Sequence, residues 1–115
     1  MLAATNTPTG IYLIGANNGF RLSVPADTQV RALKLYVGVW AAQGKLEVTL
    51  SDGSAPAYID TNVQGAIGPG INVIYTINYQ AASSGQVLTV RWTVLNSFDA
   101  SGNVTLQAAS LKIAP

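Results

Sequence analysis

From Leu33 to Val39 the apolar residues fall on every second position, Leu33, Leu35, Val37 and Val39, while Lys34, Tyr36, Gly38 and Trp40 take the alternate ones. A period of two is the signature of a strand with one buried face, and it excludes a helix, whose apolar stripe recurs every three or four residues. The rhythm resumes in Leu46, Val48 and Leu50 against Lys45, Glu47 and Thr49. These two runs flank Ala41 to Gly44, a spacing that predicts a hairpin with Gly44 as its turn residue. Further strands are predicted over Gly10 to Ile14, Phe20 to Val24, Ile71 to Tyr79, Val87 to Leu95 and Asn103 to Ile113, with a shorter one around Tyr58-Ile59. Val, Ile and Thr dominate them, as half-buried strands prefer.

The connections carry turn chemistry: Asn17-Asn18-Gly19, Ser51-Asp52-Gly53-Ser54, Gly68-Pro69-Gly70, Ser83-Ser84-Gly85 and Asp99-Ala100-Ser101-Gly102. No long window combines helical periodicity with capping residues, and no repeat, linker or composition shift divides the chain. Residues 1–115 are therefore expected to form one all-β domain, a two-sheet antiparallel β-sandwich. A jelly-roll-like arrangement is favoured over an immunoglobulin-like one, because no Cys/Trp/Cys pattern is present.

Charge narrows the partners. Only 10% of residues are charged, against roughly 25% in an average soluble domain, and six Lys+Arg against five Asp+Glu leave a formal +1. That surplus cannot neutralise several phosphates or grip an anionic bilayer, so neither nucleic acid nor a membrane is an expected partner. The longest apolar-rich run, Val30 to Ala42, is broken by Arg31, Lys34 and Gly38 and falls short of the roughly 20 residues a membrane helix requires. The opening Met1 to Pro8 reads as neither a signal peptide nor an anchor.

Histidine and cysteine are both absent, which removes imidazole chemistry, thiolate nucleophiles, disulfides and Cys/His metal sites. A glycan-active enzyme would have to pair Glu47, the sole glutamate, with Asp27, Asp52, Asp60 or Asp99 across a glycosidic bond. The simpler reading places Glu47 on a solvated face, paired with Lys34, Lys45 or Arg91. No catalytic residue and no organic cofactor are expected. Calcium is the remaining metal, since Asp52-Gly53-Ser54 and Asp60-Thr61-Asn62 offer a few hard oxygens, below the carboxylate density of a dedicated site.

Strand parity sorts the aromatic residues. Trp92 runs in register with Leu88, Val90 and Val94, and Tyr75 and Tyr79 with Val73 and Ile77, so these three belong to the core or its edge. Tyr36 and Trp40 share a face with Lys34, and Tyr58 follows the Asp52 loop. Those are the candidates for an exposed platform on which sugar rings stack, with Arg91, Glu47 and Gln43, joined by Thr89 and Asn78, as hydrogen-bonding neighbours. Coverage of Tyr36 and Trp40 by a second sheet, a loop or a partner chain is the competing expectation.

The segments Asn18-Gly19-Phe20, Val24-Pro25-Ala26-Asp27, Leu35-Tyr36-Val37-Gly38 with Trp40, Gly44-Lys45-Leu46, Leu50-Ser51-Asp52-Gly53-Ser54-Ala55-Pro56 and Gly102-Asn103-Val104-Thr105-Leu106-Gln107-Ala108-Ala109 carry a resemblance. The stretch from Gly19 to Ala114 resembles a β-sandwich module of large secreted or cell-surface bacterial proteins, which accompanies carbohydrate-active and adhesion-type domains. The resemblance implies a non-catalytic, extracellular, carbohydrate-binding-like module that takes a polysaccharide, and it transfers no site residue. The module has a further upstream segment rich in aromatics that this chain does not match. A sheet left partly uncovered by that difference is expected to associate, most simply as a two-fold homodimer, or else to have Leu2 to Thr9 paired along an edge. The alternative function is a structural, assembly or adhesion module that self-associates through a sheet face.

Overall fold

Pairing in this chain is nested: the outermost strands find each other, then the next pair inward, down to the middle. The structure, a computed structural model, describes residues 11–14, 18–68 and 70–113. Its strands are β1 (Ile11–Ile14), β2 (Gly19–Ala26), β3 (Arg31–Trp40), β4 (Ala42–Leu50), β5 (Tyr58–Asp60), β6 (Gln64–Gly65), β7 (Ile71–Tyr79), β8 (Gln86–Ser97) and β9 (Asn103–Ile113). Strand β1 pairs β9, β2 pairs β8, β3 pairs β7 and β4 pairs β5, all antiparallel. Cross-pairing of β3 with β9 and of β4 with β8 joins these ribbons into sheets of order β1-β9-β3-β7 and β2-β8-β4-β5, with β6 also on β4. The result is an antiparallel β-sandwich wound as a jelly roll, with no helix among the described residues. Leu2 to Thr9, the segment expected to pair along an edge if the chain does not associate, lies outside the described residues.

The expected hairpin at Ala41 to Gly44 does not form. Strand β3 belongs to one sheet and β4 to the other, so the chain crosses the sandwich at Ala41 instead of turning back on itself. Ala41 takes a left-handed backbone at φ 47°, and its carbonyl accepts a hydrogen bond from Phe98 N at 2.8 Å. That conformation costs an L residue about 1 kcal/mol. Ala41→Gly is expected to raise the unfolding free energy by about 0.5 kcal/mol, because glycine's larger unfolded-state entropy cancels part of the relief. A higher urea midpoint checks this, and a lower one would show that packing of the buried Ala41 methyl outweighs the strain.

Gly44 is not a turn residue either. It lies inside β4 beside a register shift, and a Cβ there would overlap the six-membered ring of Trp92. The missing side chain makes room for the largest side chain of the core. Around Trp92 the two inner faces meet: Leu33, Leu35, Val37, Val39 and Val104 from one sheet, Val24, Leu46, Val48, Leu88, Val90 and Val94 from the other. Trp92 itself is 2% exposed and meets Tyr75 edge-on, with ring centroids 5.8 Å apart at 66°. No charged or polar side chain is buried among the described residues. Alternation therefore leaves the charged side chains on the outer faces and at the rims of the sandwich, and each sheet presents one outer face.

Candidate functional site

The expected binding residues divide between these faces. On the outer face of β1-β9-β3-β7, register places Ala108 and Ile74 on either side of Tyr36. Tyr36 is half-buried, whereas Ile74 is 60% exposed. One row along, Lys34 stands between Ser110 and Thr76, and on the other side Gly38 lies between Thr105 and Asn72. A Cβ at Gly38 would come within 2.6 Å of Asn72 Oδ1 and 2.7 Å of Thr105 Oγ1. Its absence lets Gln107 Nε2 donate to Asn72 Oδ1 at 2.8 Å across the strand between them. Trp40, half-buried, closes the row, and its Nε1 donates to the Gly68 carbonyl at 2.6 Å. Tyr36 and Trp40 are four positions apart on one strand, a separation of roughly 13 Å.

Arg91 and Glu47 lie on the opposite side of the sandwich. On the outer face of β2-β8-β4-β5 the row reads Arg21, Arg91, Glu47, Ile59, and the row beside it Ser23, Thr89, Thr49. Arg21, Glu47, Thr49, Thr89 and Arg91 line a hollow of about 200 Å³. Among the described residues no aspartate lines it, so Glu47 lacks the second carboxylate that glycoside hydrolysis uses. The expected pairing of Glu47 with Lys34, Lys45 or Arg91 is also absent. Lys34 is on the far sheet, and the one salt bridge among the described residues joins Asp27 to Arg31 at 2.7 Å.

Gln43 and Tyr58 are placed elsewhere again. Gln43 donates to the Thr61 carbonyl at 2.9 Å and accepts from Asn96 Nδ2 at 2.7 Å, so its amide holds the segment before β6. Tyr58, 54% exposed, stands on β5 opposite Val48. It overhangs a cleft of about 230 Å³ at the open edge of the sandwich, floored by Val48, Ile77, Tyr79 and Leu88.

The aspartates serve the framework. The Arg31 guanidinium, and then the Gln29 N–H, hold Asp27 below its ordinary range. Asp52 is lowered first by its hydrogen bond with the Ser54 side chain, then by backbone donors that include Ser54 and Ala82. Asp60 accepts from Asn62 Nδ2 and from the Tyr75 hydroxyl, whose own pKa burial and that bond push up. Among the described residues no group of three or more acidic side chains gathers at the two segments expected to offer calcium oxygens.

Sequence parity did not single out Arg21 or Thr49. Arg21 alternates with Phe20 and Leu22 and so faces outward, but only the pairing of β2 with β8 sets it against Arg91.

No protein-family model matches the chain, and no curated protein matches it in sequence. Solved structures share its fold. One is the CBM22-1 xylan-binding domain of Paenibacillus barcinonensis Xyn10C, with a TM-score of 0.55, 20% identity, and 90% of this chain and 71% of that one covered. A second is the CBM36-1 domain of a multidomain xylanase from the hindgut metagenome of Trinervitermes trinervoides, with a TM-score of 0.52, 11% identity, and 100% and 89% covered. A third is the EclA C-terminal domain, a sugar-binding protein, with a TM-score of 0.53, 7% identity, and 97% and 83% covered. The chain has the β-sandwich fold of carbohydrate-binding modules.

Proposed function

We propose that this chain is a non-catalytic carbohydrate-binding module that takes a polysaccharide along β3, on the outer face of the four-stranded sheet. The observation that carries the reading is Tyr36: half-buried beside the exposed Ile74, on a face open among the described residues, with Lys34, Thr76, Asn72 and Gln107 within one row. Sugar C–H faces stack on such a ring while the surrounding amides, hydroxyl and ammonium bond the sugar hydroxyls. Trp40 forms the far end of the platform, its indole held by Gly68. Support comes from the shared fold of a xylan-binding domain and a sugar-binding protein. The reading carries an extracellular setting, since a polysaccharide does not cross a membrane.

Retention of the protein on insoluble xylan tests the reading. Tyr36→Ala is expected to weaken binding about tenfold, from the loss of one stacked ring worth about 1–2 kcal/mol, with little change in melting temperature. Absence of binding to any neutral glycan, or full binding by Tyr36→Ala, would refute it.

The same patch favours a second reading, a structural or assembly module that pairs two-fold through Tyr36 and the 60% exposed Ile74. A particle of twice the 12.0 kDa chain mass that Ile74→Lys converts to monomer would establish it. A monomer at micromolar concentration would remove it.

A further inference from the structure

The face opposite Tyr36 holds an arrangement that folding does not explain. Arg21 of β2 and Arg91 of β8 are direct cross-strand partners on the same outer face, both exposed. Opposite positions on neighbouring strands bring side chains to about 5 Å at Cβ, where like charges repel. Counter-ions would relieve that repulsion, and the four aspartates of the chain are engaged elsewhere. Asp27 is taken by Arg31, Asp52 by Ser54 and the Ala82 N–H, Asp60 by Asn62 and Tyr75, and Asp99 by the Ser101 N–H. Glu47 is the only acid on this face, directly opposite Arg91, and it forms no salt bridge among the described residues. Lys45, two positions along β4 from Glu47, adds a third cation to the face.

We infer that this face is a second binding site, for the carboxylate of a uronic-acid-bearing polysaccharide, with Arg21 and Arg91 as its anion clamp. A guanidinium presents two parallel N–H donors that match a carboxylate, and two guanidinia side by side grip it from both sides. Beyond the pair, Thr49 and Thr89 line the same hollow of about 200 Å³ and offer hydroxyls to the sugar ring. Glu47 limits the charge the site accepts: with one acid set against two arginines, the row is matched by a single carboxylate and not by a run of phosphates. Nucleic acid is disfavoured further because this row ends in Ile59 and holds no aromatic ring on which a base could stack. The site is independent of the stacking platform, since the core of the sandwich lies between them.

Affinity electrophoresis in gels containing polygalacturonate, or the same polymer with its carboxyl groups reduced to alcohols, tests the inference. Retardation by polygalacturonate, falling at least about tenfold in affinity for the reduced polymer, is expected. The double variant Arg21→Gln/Arg91→Gln is expected to lose the same factor while its melting temperature holds or rises, since the repulsion goes with the charges. Glu47→Gln is expected to tighten binding about threefold by removing the competing carboxylate. Tyr36→Ala should leave polygalacturonate binding unchanged, so loss of xylan binding alone in that variant concerns only the stacking platform. No retardation by polygalacturonate, equal affinity for the reduced polymer, wild-type binding by the double arginine variant, weaker binding by Glu47→Gln, or loss of binding in Tyr36→Ala would each overturn the inference. Tighter binding to heparin than to polygalacturonate would also overturn it, by assigning the clamp to sulfate.

Discussion

Replacing Trp92 by alanine is expected to lower the unfolding free energy by about 3–5 kcal/mol, a large share of the roughly 5–15 kcal/mol that holds a domain of this size. The indole is 2% exposed, packs between the sheets and meets Tyr75 edge-on at 5.8 Å. Its removal leaves a void lined by strands whose pairing prevents them from collapsing into it. The indole also carries a cost, because its Nε1–H is buried with no acceptor among the described residues, and such a donor forfeits about 1–3 kcal/mol. Trp92→Phe removes that donor while keeping an aromatic edge against Tyr75, so it should cost far less than Trp92→Ala. Urea denaturation of the two variants checks the order. Equal losses would mean that the Tyr75 contact and the ring volume contribute nothing specific.

The second large effect is expected at Gly44. Any Cβ there overlaps the Trp92 ring, and valine adds two further carbons to a position on the buried face of β4. Gly44→Val is expected to destabilise by about 3 kcal/mol, the upper end of overpacking costs, because the obstructed group is a ring wedged between two sheets and not the free end of a chain. The loss should shrink in a Trp92→Leu background, where the obstructing ring is gone, and a double-mutant cycle reads that coupling directly. The same cost in both backgrounds would show that backbone distortion of β4, and not the indole, is responsible.

The two halves of this jigsaw differed in how readable they were. Trp92 announces itself as core through its register with Leu88, Val90 and Val94. Gly44 reads as a turn residue because glycine after a strand usually is one, and its true role depends on a partner in another strand. The same contrast divides the binding residues. That Tyr36 and Trp40 face outward with Lys34, and Glu47 outward from Leu46 and Val48, follows from alternation alone. Their assembly into one sugar platform does not, and the structure sets Tyr36 and Trp40 on one sheet, Glu47 and Arg91 on the other. Gln43, polar and outward, looked free to bond a sugar, but its amide is engaged by Thr61 and Asn96.

The sequence alone sets which side of its own strand a residue takes wherever alternation runs unbroken, as from Leu33 to Val39 and from Leu46 to Leu50, because alternation is a property of the extended backbone and needs no partner. In β9 the register shift opposite Tyr36 and Val37 moves the core positions from Val104 and Leu106 to Ala109 and Leu111, which alternation does not foretell. The sequence also marked where the strands break, through Gly, Pro, Asn, Asp and Ser. Which strands share a sheet is settled by the three-dimensional packing. In a nested antiparallel fold, neighbours in space are distant in the chain, and a strand's hydrogen-bonding edges accept any partner with a matching apolar face. The crossing at Ala41, the room that Gly44 leaves for Trp92, and the meeting of Arg21 with Arg91 are all products of that choice of partner.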